Sequence, residues 1–309
     1  MQQKKCPVPP ILIMAVGVIA VSFSAIFIKW SNAPASILGM YRLFFTVVIM
    51  SPLLIPRMQE IRRLSRKDWG ILTVSGLFLG LHFLFWIGSL KFTTVASSMI
   101  LTTLEPIFVM VGAYVLFKER TNVLALVSML IAMGGTVCIA WGDFGGTGHA
   151  LKGDMYSIIG TIAVSVYMLA GQNLRNRMSS FVYNILVFFV ASIVFAVYNI
   201  FAGYSFVQYP GKEWGIFVLL AIVPTIFGHA LFNWLLKYVN ATTISMSILG
   251  EPVGAIALSV LLLNDTVTPS QWIGGCMAIL GVWLFLRTNQ GSHQQTPAAS
   301  LDHVIHPNS

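Results

Sequence analysis

Two short stretches of the sequence are the strongest indication of the fold: Thr103-Leu104-Glu105-Pro106-Ile107 and Leu249-Gly250-Glu251-Pro252-Val253. Each glutamate is the only charged residue in its long apolar segment. An acid at the centre of a membrane helix costs about 2.5–3.5 kcal/mol on insertion scales, and a proline removes one helical hydrogen bond. The repeated Glu-Pro pair therefore predicts two related membrane segments, each with a point where polar groups face protein or water.

The amino-acid composition is that of a membrane protein. Of the 309 residues, 57% are hydrophobic and 9% are charged, and the mean hydropathy is +0.82. A soluble domain carries about 25% charged residues, so this chain lacks the polar surface that such a domain needs. The net charge of +8 does not indicate nucleic acid binding, because basic residues in such a chain mostly set its orientation in the bilayer.

The cysteines and the acidic residues do not predict an enzyme. Cys6, Cys138 and Cys276 are odd in number and scattered, which indicates neither a disulfide framework nor a metal site. An enzyme would need histidines or acids that converge near one interface, and a sensor would need a soluble output domain. The sequence shows neither pattern, so we expect a protein that is not an enzyme and uses no cofactor.

Ten apolar segments are long enough to cross a bilayer as helices, which takes about 20 residues each. The first is interpreted as an uncleaved helix, because it is long enough to span and many more spans follow. A polar tail, 287–309, is expected to be disordered and cytoplasmic. The predicted helices are 11–30, 36–56, 69–90, 92–117, 121–141, 154–173, 181–202, 214–236, 239–263 and 269–286.

The basic residues predict the orientation. With the amino terminus in the cytoplasm, 13 of the 18 lysines and arginines lie at cytoplasmic ends, 4 lie at outer ends and Arg42 lies within the second span. Cytoplasmic loops of membrane proteins carry the excess of basic residues. We therefore expect a multi-pass protein of the cell membrane with both termini in the cytoplasm.

The sequence repeats itself weakly between its halves. A shift of 146 residues places Glu105-Pro106 on Glu251-Pro252, and a shift of 143 places 17–22 on 160–165 with five identities in six. Each half, 11–141 and 154–286, then holds five helices, and because five is odd the second half enters the membrane in the opposite direction. The predicted fold is all-α: ten transmembrane helices built as two inverted five-helix repeats. Many secondary transporters with this architecture bind substrate near the bilayer midplane.

The chain resembles the drug/metabolite transporter superfamily, in its ten-helix EamA-type branch, over residues 11–286. At the end of the ninth helix, where that family usually shows Gly-Glu, this chain has Asn264-Asp265, which keeps the acid. The resemblance implies a carrier of small metabolites driven by protons or by exchange, and it identifies no substrate. It rests on Phe27-Ile28-Lys29, Tyr41-Arg42-Leu43, Leu104-Glu105-Pro106-Ile107, Leu116-Phe117-Lys118-Glu119-Arg120, Gly250-Glu251-Pro252-Val253 and Gly281-Val282.

Glu105 and Glu251 are the first candidates for a substrate or proton site. On each of the two helices, further polar residues share the face of the glutamate and form a polar stripe. Two such stripes facing each other would line a path between the halves. The alternative is structural: each carboxyl bonds backbone groups that the adjacent proline leaves free. Polar residues precede each glutamate at spacings of three and four, on its helix face: Thr94, Ser98 and Thr102 before Glu105, and Asn240, Thr243 and Ser247 before Glu251.

Histidines and aromatic residues form a second group of candidates. Histidine can titrate near neutral pH and aromatic faces hold cations or flat rings, whereas ordinary helix packing is the alternative for all of them. His82, Trp86, Asn233 and Trp234 are predicted to approach a central cavity shared by both halves. The further candidates are His229 in the eighth span, and Ser22, Ser24, Tyr167 and Gln172 in the first and sixth.

Two basic residues flank the first outer turn. Lys29 and Arg42 are expected to extend toward the membrane surface, and capture of an anionic group at the outer mouth is the alternative. The glycine pairs Gly76/Gly80 and Gly250/Gly254 are expected to let helices approach closely.

These observations predict a secondary active transporter that moves small, amino-acid-like metabolites across the cell membrane by alternating access, as an exporter. The alternative is a multidrug or organic-cation exporter that uses Glu105, Glu251 and aromatic residues as a loose cationic site. An amino-acid carrier needs a partner for a carboxylate, which only Arg42 or a histidine would supply. The expected partners are a small-molecule substrate, protons and the lipid bilayer, and not nucleic acid. The sequence leaves the oligomeric state open, and a monomer is compatible with it.

Overall fold

The apolar segments form helices in a computed structural model, which describes residues 6–89, 92, 98, 101–140, 150–175, 178–263 and 267–292. The first half contains α1 (Pro10–Trp30), α2 (Ala35–Met50), α3 (Met58–Arg62), α4 (Arg66–Ser89), α5 (Glu105–Phe117) and α6 (Val123–Ala140). The second half contains α7 (Ala150–Arg175), α8 (Ser180–Phe201), α9 (Gly211–Leu220), α10 (Leu231–Leu235), α11 (Ala241–Ile248), α12 (Glu251–Leu263) and α13 (Pro269–Ser292). A 3₁₀ helix, Ser51–Arg57, joins α2 to α3, and a π-helical segment, Ala221–Ala230, joins α9 to α10.

The helices are long and apolar enough for a multi-pass membrane protein. Within the described part of the chain, eight helical runs satisfy the length and hydropathy needed to cross a bilayer. The fourth and fifth predicted spans contain two shorter apolar helices, Glu105–Phe117 and Val123–Ile139. The protein is therefore an all-α integral membrane protein, and the number of ten crossings stays a prediction.

The Glu-Pro pairs break the spans that contain them, which corrects the expectation of continuous helices over 92–117 and 239–263. Helix α5 starts at Glu105 and α12 starts at Glu251, in each case directly after a two-residue turn. Proline has no N–H and its fixed backbone angle suits the first turn of a helix. Each proline therefore starts a new helical segment, and each glutamate lies in a first turn rather than at mid-helix.

Three other expectations fall partly or wholly on residues outside the described part of the chain. Helix α13 continues to Ser292, past residue 287 where the tail was predicted to begin, and 293–309 lie outside the described part of the chain. Thr94 and Asn264-Asp265 lie outside it as well.

Helices of the two halves pack directly against each other. Helix α4 contacts α7 and α8, α2 contacts α8, α1 contacts the π-helical segment and α12, and α6 contacts α13. Helices α6 and α13 approach closely at Gly135 and Gly274, because these residues have no side chain. A Cβ on either residue would overlap the backbone of the facing helix. As predicted, Gly76 lies against α8, where a Cβ would meet Val190. This interleaved packing brings polar side chains of both halves to the middle of the bundle.

Candidate functional site

A polar cavity lies where α5 and α12 begin. Its volume is about 80 Å³, and five ionisable side chains of the described residues line it: Arg42, His82, Glu105, His229 and Glu251. They come from α2, α4, α5, the π-helical segment and α12, so both halves contribute. Ionisable residues inside a membrane protein are costly and indicate a functional site by default.

Polar hydroxyls, aromatic rings and apolar side chains complete the wall. The prolines of both Glu-Pro pairs are among them. The remaining lining residues are Val21, Ser24, Phe83, Trp86, Thr102, Thr103, Pro106, Val164, Met168, Ser245, Ile248, Leu249 and Pro252.

The two carboxyl groups face the cavity from helix N-termini. The side chain of Glu105 is 6% exposed, whereas that of Glu251 is half-buried. The N-terminus of a helix carries partial positive charge, which favours a carboxylate there. Each proline lies in the first turn of its helix, where main-chain N–H groups have no helical partner. Its missing N–H therefore costs no helical hydrogen bond that the carboxyl group would have to replace. This geometry weakens the purely structural interpretation of the glutamates.

A serine of the opposite half lies at the main-chain carbonyl of each glutamate. The hydroxyl of Ser22 in α1 donates to the carbonyl oxygen of Glu251 at 3.1 Å, and that of Ser165 in α7 lies 3.5 Å from the carbonyl oxygen of Glu105. Each hydroxyl shares its one hydrogen with a carbonyl oxygen of its own helix, which lies closer, at 2.8 Å. Ser22 and Ser165 are equivalent positions under the shift of 143 residues, so the two halves support each other's helix break in the same way.

Arg42 lies inside the protein, which corrects the expectation that it extends to the membrane surface. It is 2% exposed, its Nε donates to the Thr225 hydroxyl at 2.6 Å, and its Nη1 donates to the Ser24 hydroxyl at 3.1 Å. Its guanidinium carbon lies 4.4 Å from the centroid of the Phe83 ring. These partners from other helices hold the guanidinium inside the bundle, whereas Lys29 at the end of α1 is exposed, as expected.

A proline places the hydroxyl that receives Arg42. Pro224 cannot donate to the carbonyl of Leu220, and the hydroxyl of Thr225 donates there at 2.8 Å. Because that bond uses the hydroxyl hydrogen, the oxygen is left to accept from Arg42. The surrounding π-helical turn, a type that is frequent at functional sites, also carries His229.

The two histidines are held by different contacts. The Nδ1 of His82 lies 2.9 Å from the carbonyl oxygen of Gly160, which can only accept, so Nδ1 carries a hydrogen and donates it to this oxygen. The ring also stacks on Trp86, with centroids 6.2 Å apart. His229 meets Phe83 edge to face at 5.3 Å. The prediction that His82 and Trp86 approach a central cavity agrees with this wall.

Asn233 and Trp234 were also predicted to approach the central cavity. This part of the prediction is corrected, because neither residue lines the cavity. The Asn233 amide nitrogen lies 2.6 Å from both the Tyr167 hydroxyl and the Asn184 amide oxygen. Trp234 packs on Tyr238 with ring centroids 4.8 Å apart. Helix α10 contacts α7 and α8, so these polar groups bond one another beside the cavity, and Tyr167 belongs to the same buried network.

The predicted polar stripes reach the cavity only at their ends. Thr102 lines it, whereas Ser98 is hydrogen-bonded to serines of α4 and α7. Ser247 donates to a main-chain carbonyl of α11, and Thr243 donates to the asparagine that caps that helix. The turn before each glutamate ends the regular spacing on which the stripe was predicted, so the earlier residues face neighbouring helices.

The sequence did not predict several contributors to this site, among them Arg42, which was expected to extend to the membrane surface, and its partners Thr225 and Phe83. The signal for Arg42 was present, since a charge within a membrane span indicates a functional residue by default. Thr225 and Phe83 gave no signal of their own, because their roles depend on Arg42. Among the described residues, no group of three or more His, Cys, Asp or Glu side chains could hold a metal ion.

Polar contacts also join helices at the two ends of the bundle. At one end, a carboxylate oxygen of Glu213 accepts from the main-chain N–H of Asn32, at 2.9 Å, in the turn between α1 and α2. At the other end, Glu119 accepts from Gln172 at 2.7 Å and from Asn240 at 3.0 Å. The cavity lies between these two sets of contacts along the helices.

A bundle of membrane-crossing helices around a charged cavity defines a polytopic membrane protein of the transporter type. The chain matches the model of the EamA-like transporter family over residues 8–141 and again over 151–287. The matches cover most of the chain, so the protein belongs to that family and is a membrane transporter. The resemblance stated from the sequence motifs is confirmed.

Relatives and a solved structure agree with this assignment. The chain is 26% identical over 256 residues to the uncharacterized transporter sll1164 of Synechocystis sp., covering 74% of this chain and 68% of that one. It is 27% identical over 234 residues to the uncharacterized transporter YetK of Bacillus subtilis, covering 72% and 69%. A crystal structure superposes with a TM-score of 0.77 at 18% identity, covering 92% of this chain and 98% of its own, and this likeness shows the fold alone.

Proposed function

We propose that this protein is a secondary active transporter that exports small, amino-acid-like metabolites across the cell membrane by alternating access. The observation that carries the proposal is the cavity, which collects five ionisable side chains at the breaks before α5 and α12. Many secondary transporters bind substrate and coupling ion at discontinuous helices near the bilayer midplane. An acid-lined cavity at such breaks fits a transporter better than a protein that only packs helices.

We also infer that the ten predicted spans form two inverted repeats, with both termini in the cytoplasm. Two observations support the repeat: the family model matches each half, and Ser22 and Ser165 occupy equivalent places beside the two Glu-Pro breaks. An odd number of helices in each half requires the inversion. Alternating access then follows if the two halves exchange conformations.

The contacts at the two ends of the bundle supply the gates for such an exchange. Loss of the Glu213 contact with the α1–α2 turn opens one end, and loss of the Glu119 contacts with α7 and α11 opens the other. Carboxylate hydrogen bonds of this kind contribute roughly 1.5–3 kcal/mol, which is strong enough to hold a gate and weak enough to release it.

Charge counting supports proton coupling. With Glu105 and Glu251 ionised, Arg42 charged and both histidines neutral, the wall carries two negative charges and one positive charge. One bound proton neutralises the wall. Because an unpaired charge in a membrane interior is costly, the protonated and deprotonated states differ in which conformations they favour.

Transport by proteoliposomes tests the proposal. We expect vesicles loaded with a mixture of amino acids and related small metabolites to lose at least one compound when a pH gradient is imposed, at a rate above that of protein-free vesicles. A double variant, Glu105→Gln with Glu251→Gln, should lose the dependence on the gradient. Retention of every compound by vesicles with folded protein would contradict the proposed function.

The second candidate is export of organic cations. The observation that favours it is the pair of carboxyl groups beside the stacked rings of His82 and Trp86, since acids and aromatic faces both attract cations. Efflux of tetraethylammonium from the same vesicles, without efflux of any amino acid, would select this candidate.

A further inference from the structure

Arg42 keeps one charged donor group without a partner. Its Nε and Nη1 are bonded to Thr225 and Ser24, and one face of the guanidinium lies on Phe83. Its Nη2 is buried and has no hydrogen-bond partner in the described part of the chain. An unpaired charged donor inside a protein is costly, so this fixed nitrogen beside the cavity is suited to an acceptor that enters it.

Glu105 presents the complementary atom. Its Oε1 is buried and also lacks a hydrogen-bond partner among the described residues. Both residues line the same cavity, so one unpaired cationic donor and one unpaired carboxylate oxygen belong to side chains of its wall. Glu251 lines the cavity too, but it has no oxygen that is both buried and unpaired.

We propose that Arg42 and Glu105 form a two-charge subsite that binds the carboxylate and the ammonium group of a zwitterionic substrate. This proposal rests on the proposed transport function and names its substrate class. The guanidinium is the side chain best suited to hold a carboxylate, and a carboxylate oxygen accepts readily from an ammonium N–H.

Charge separates this class from the alternatives. A zwitterion pairs both groups and leaves the net charge of the cavity unchanged. An organic cation pairs with Glu105 but leaves Nη2 of Arg42 unpaired and adds a second positive charge beside it. A simple carboxylate pairs with Arg42 but adds a third negative charge to the two glutamates of the wall.

Thermal-shift titrations of the purified full-length protein test this subsite. The probes are the standard amino acids, the carboxamide of each, which lacks the carboxylate, and the deaminated acid of each, which lacks the ammonium group. We expect at least one amino acid to raise Tm, and its two analogues to bind about tenfold more weakly or not at all, because each leaves one charged partner unpaired. This comparison uses the wild-type protein and does not depend on a variant that folds.

A variant tests whether Arg42 binds the carboxylate of the substrate. Arg42→Gln should bind the amino acid and its carboxamide alike, because the charge that distinguishes them is gone. Arg175→Gln is the matched control, since Arg175 is another buried arginine, bonded to main-chain carbonyls of Asn233 and Met178 and absent from the cavity wall. It should lower Tm without changing the preference for the amino acid.

Three results would overturn the subsite. They are no response to any amino acid, equal binding of an amino acid and its carboxamide by the wild-type protein, and an unchanged preference in Arg42→Gln. If one of these results is obtained and proteoliposomes still release tetraethylammonium, the protein is a transporter that lacks this subsite. Absence of efflux for every compound would instead count against the transport function.

Discussion

The hydroxyl of Ser22 shares its one hydrogen between the main-chain carbonyl oxygens of Val18, at 2.8 Å, and Glu251, at 3.1 Å, and the second contact joins α1 to the break between α11 and α12. The first half of the chain thus holds the glutamate of the second half. A shift of α1 would move the main chain at Glu251, so the two halves are connected directly beside the cavity.

Removal of the Ser22 hydroxyl should loosen this connection. We expect Ser22→Ala to lower the free energy of unfolding by about 0.6 kcal/mol, the average for interhelical hydrogen bonds in membranes, and to slow transport more than it weakens substrate binding. Thermal denaturation and proteoliposome transport measure the two effects. Ser128→Ala is the control, because that hydroxyl donates to Leu124 within its own helix. Equal transport rates in both variants would remove any role for Ser22 in the exchange.

The two glutamates should respond differently to neutral substitution. Glu251→Gln should still bind substrate but lose the response to a pH gradient, because Glu251 is half-buried and therefore more accessible to water than the buried Glu105. Glu105→Gln keeps an oxygen that accepts from an ammonium group, so it should raise KM and retain pH dependence at saturating substrate. We therefore expect Glu251→Gln to damage gradient-driven transport more. Proteoliposome assays with and without a gradient make the comparison, and near-native rates for both variants would leave the glutamates structural.

The contacts at the two ends of the bundle should control access to the cavity. A cysteine introduced at the buried wall position Ser245, in a background without the native cysteines, reports access through its labelling rate. Glu119→Ala should speed labelling from one side of the membrane about tenfold, and Glu213→Ala should do so from the other, since each carboxylate bond contributes roughly 1.5–3 kcal/mol. Faster labelling from the same side in both variants would contradict two separate gates.

The excess of basic residues at one set of loops predicts the topology. A reporter that is active only in the cytoplasm should be active when fused after Arg287 and silent when inserted near Thr147, a position outside the described residues. The reason is the distribution of 13 basic residues against 4. The reverse pattern of activity would reverse the orientation.

The sequence by itself determined the class of protein, the positions of the apolar segments and the importance of the two Glu-Pro pairs. These properties are local: a run of about 20 apolar residues is a membrane helix whatever packs beside it, and an acid within such a run is costly wherever the run lies. The amino-acid sequence alone likewise indicates seven residues of the cavity wall, namely Ser24, His82, Trp86, Thr102, Glu105, His229 and Glu251.

Tertiary structure alone decided which way the polar side chains face. Arg42 turns inward because Thr225, 183 residues later in the chain, accepts its hydrogen bond, and no local pattern around Arg42 contains that partner. Asn233 turns away from the cavity because Asn184 and Tyr167 are within reach of its amide. A hydrogen bond inside a membrane protein depends on contact between helices that are distant in sequence, and such contacts exist only once the halves have packed.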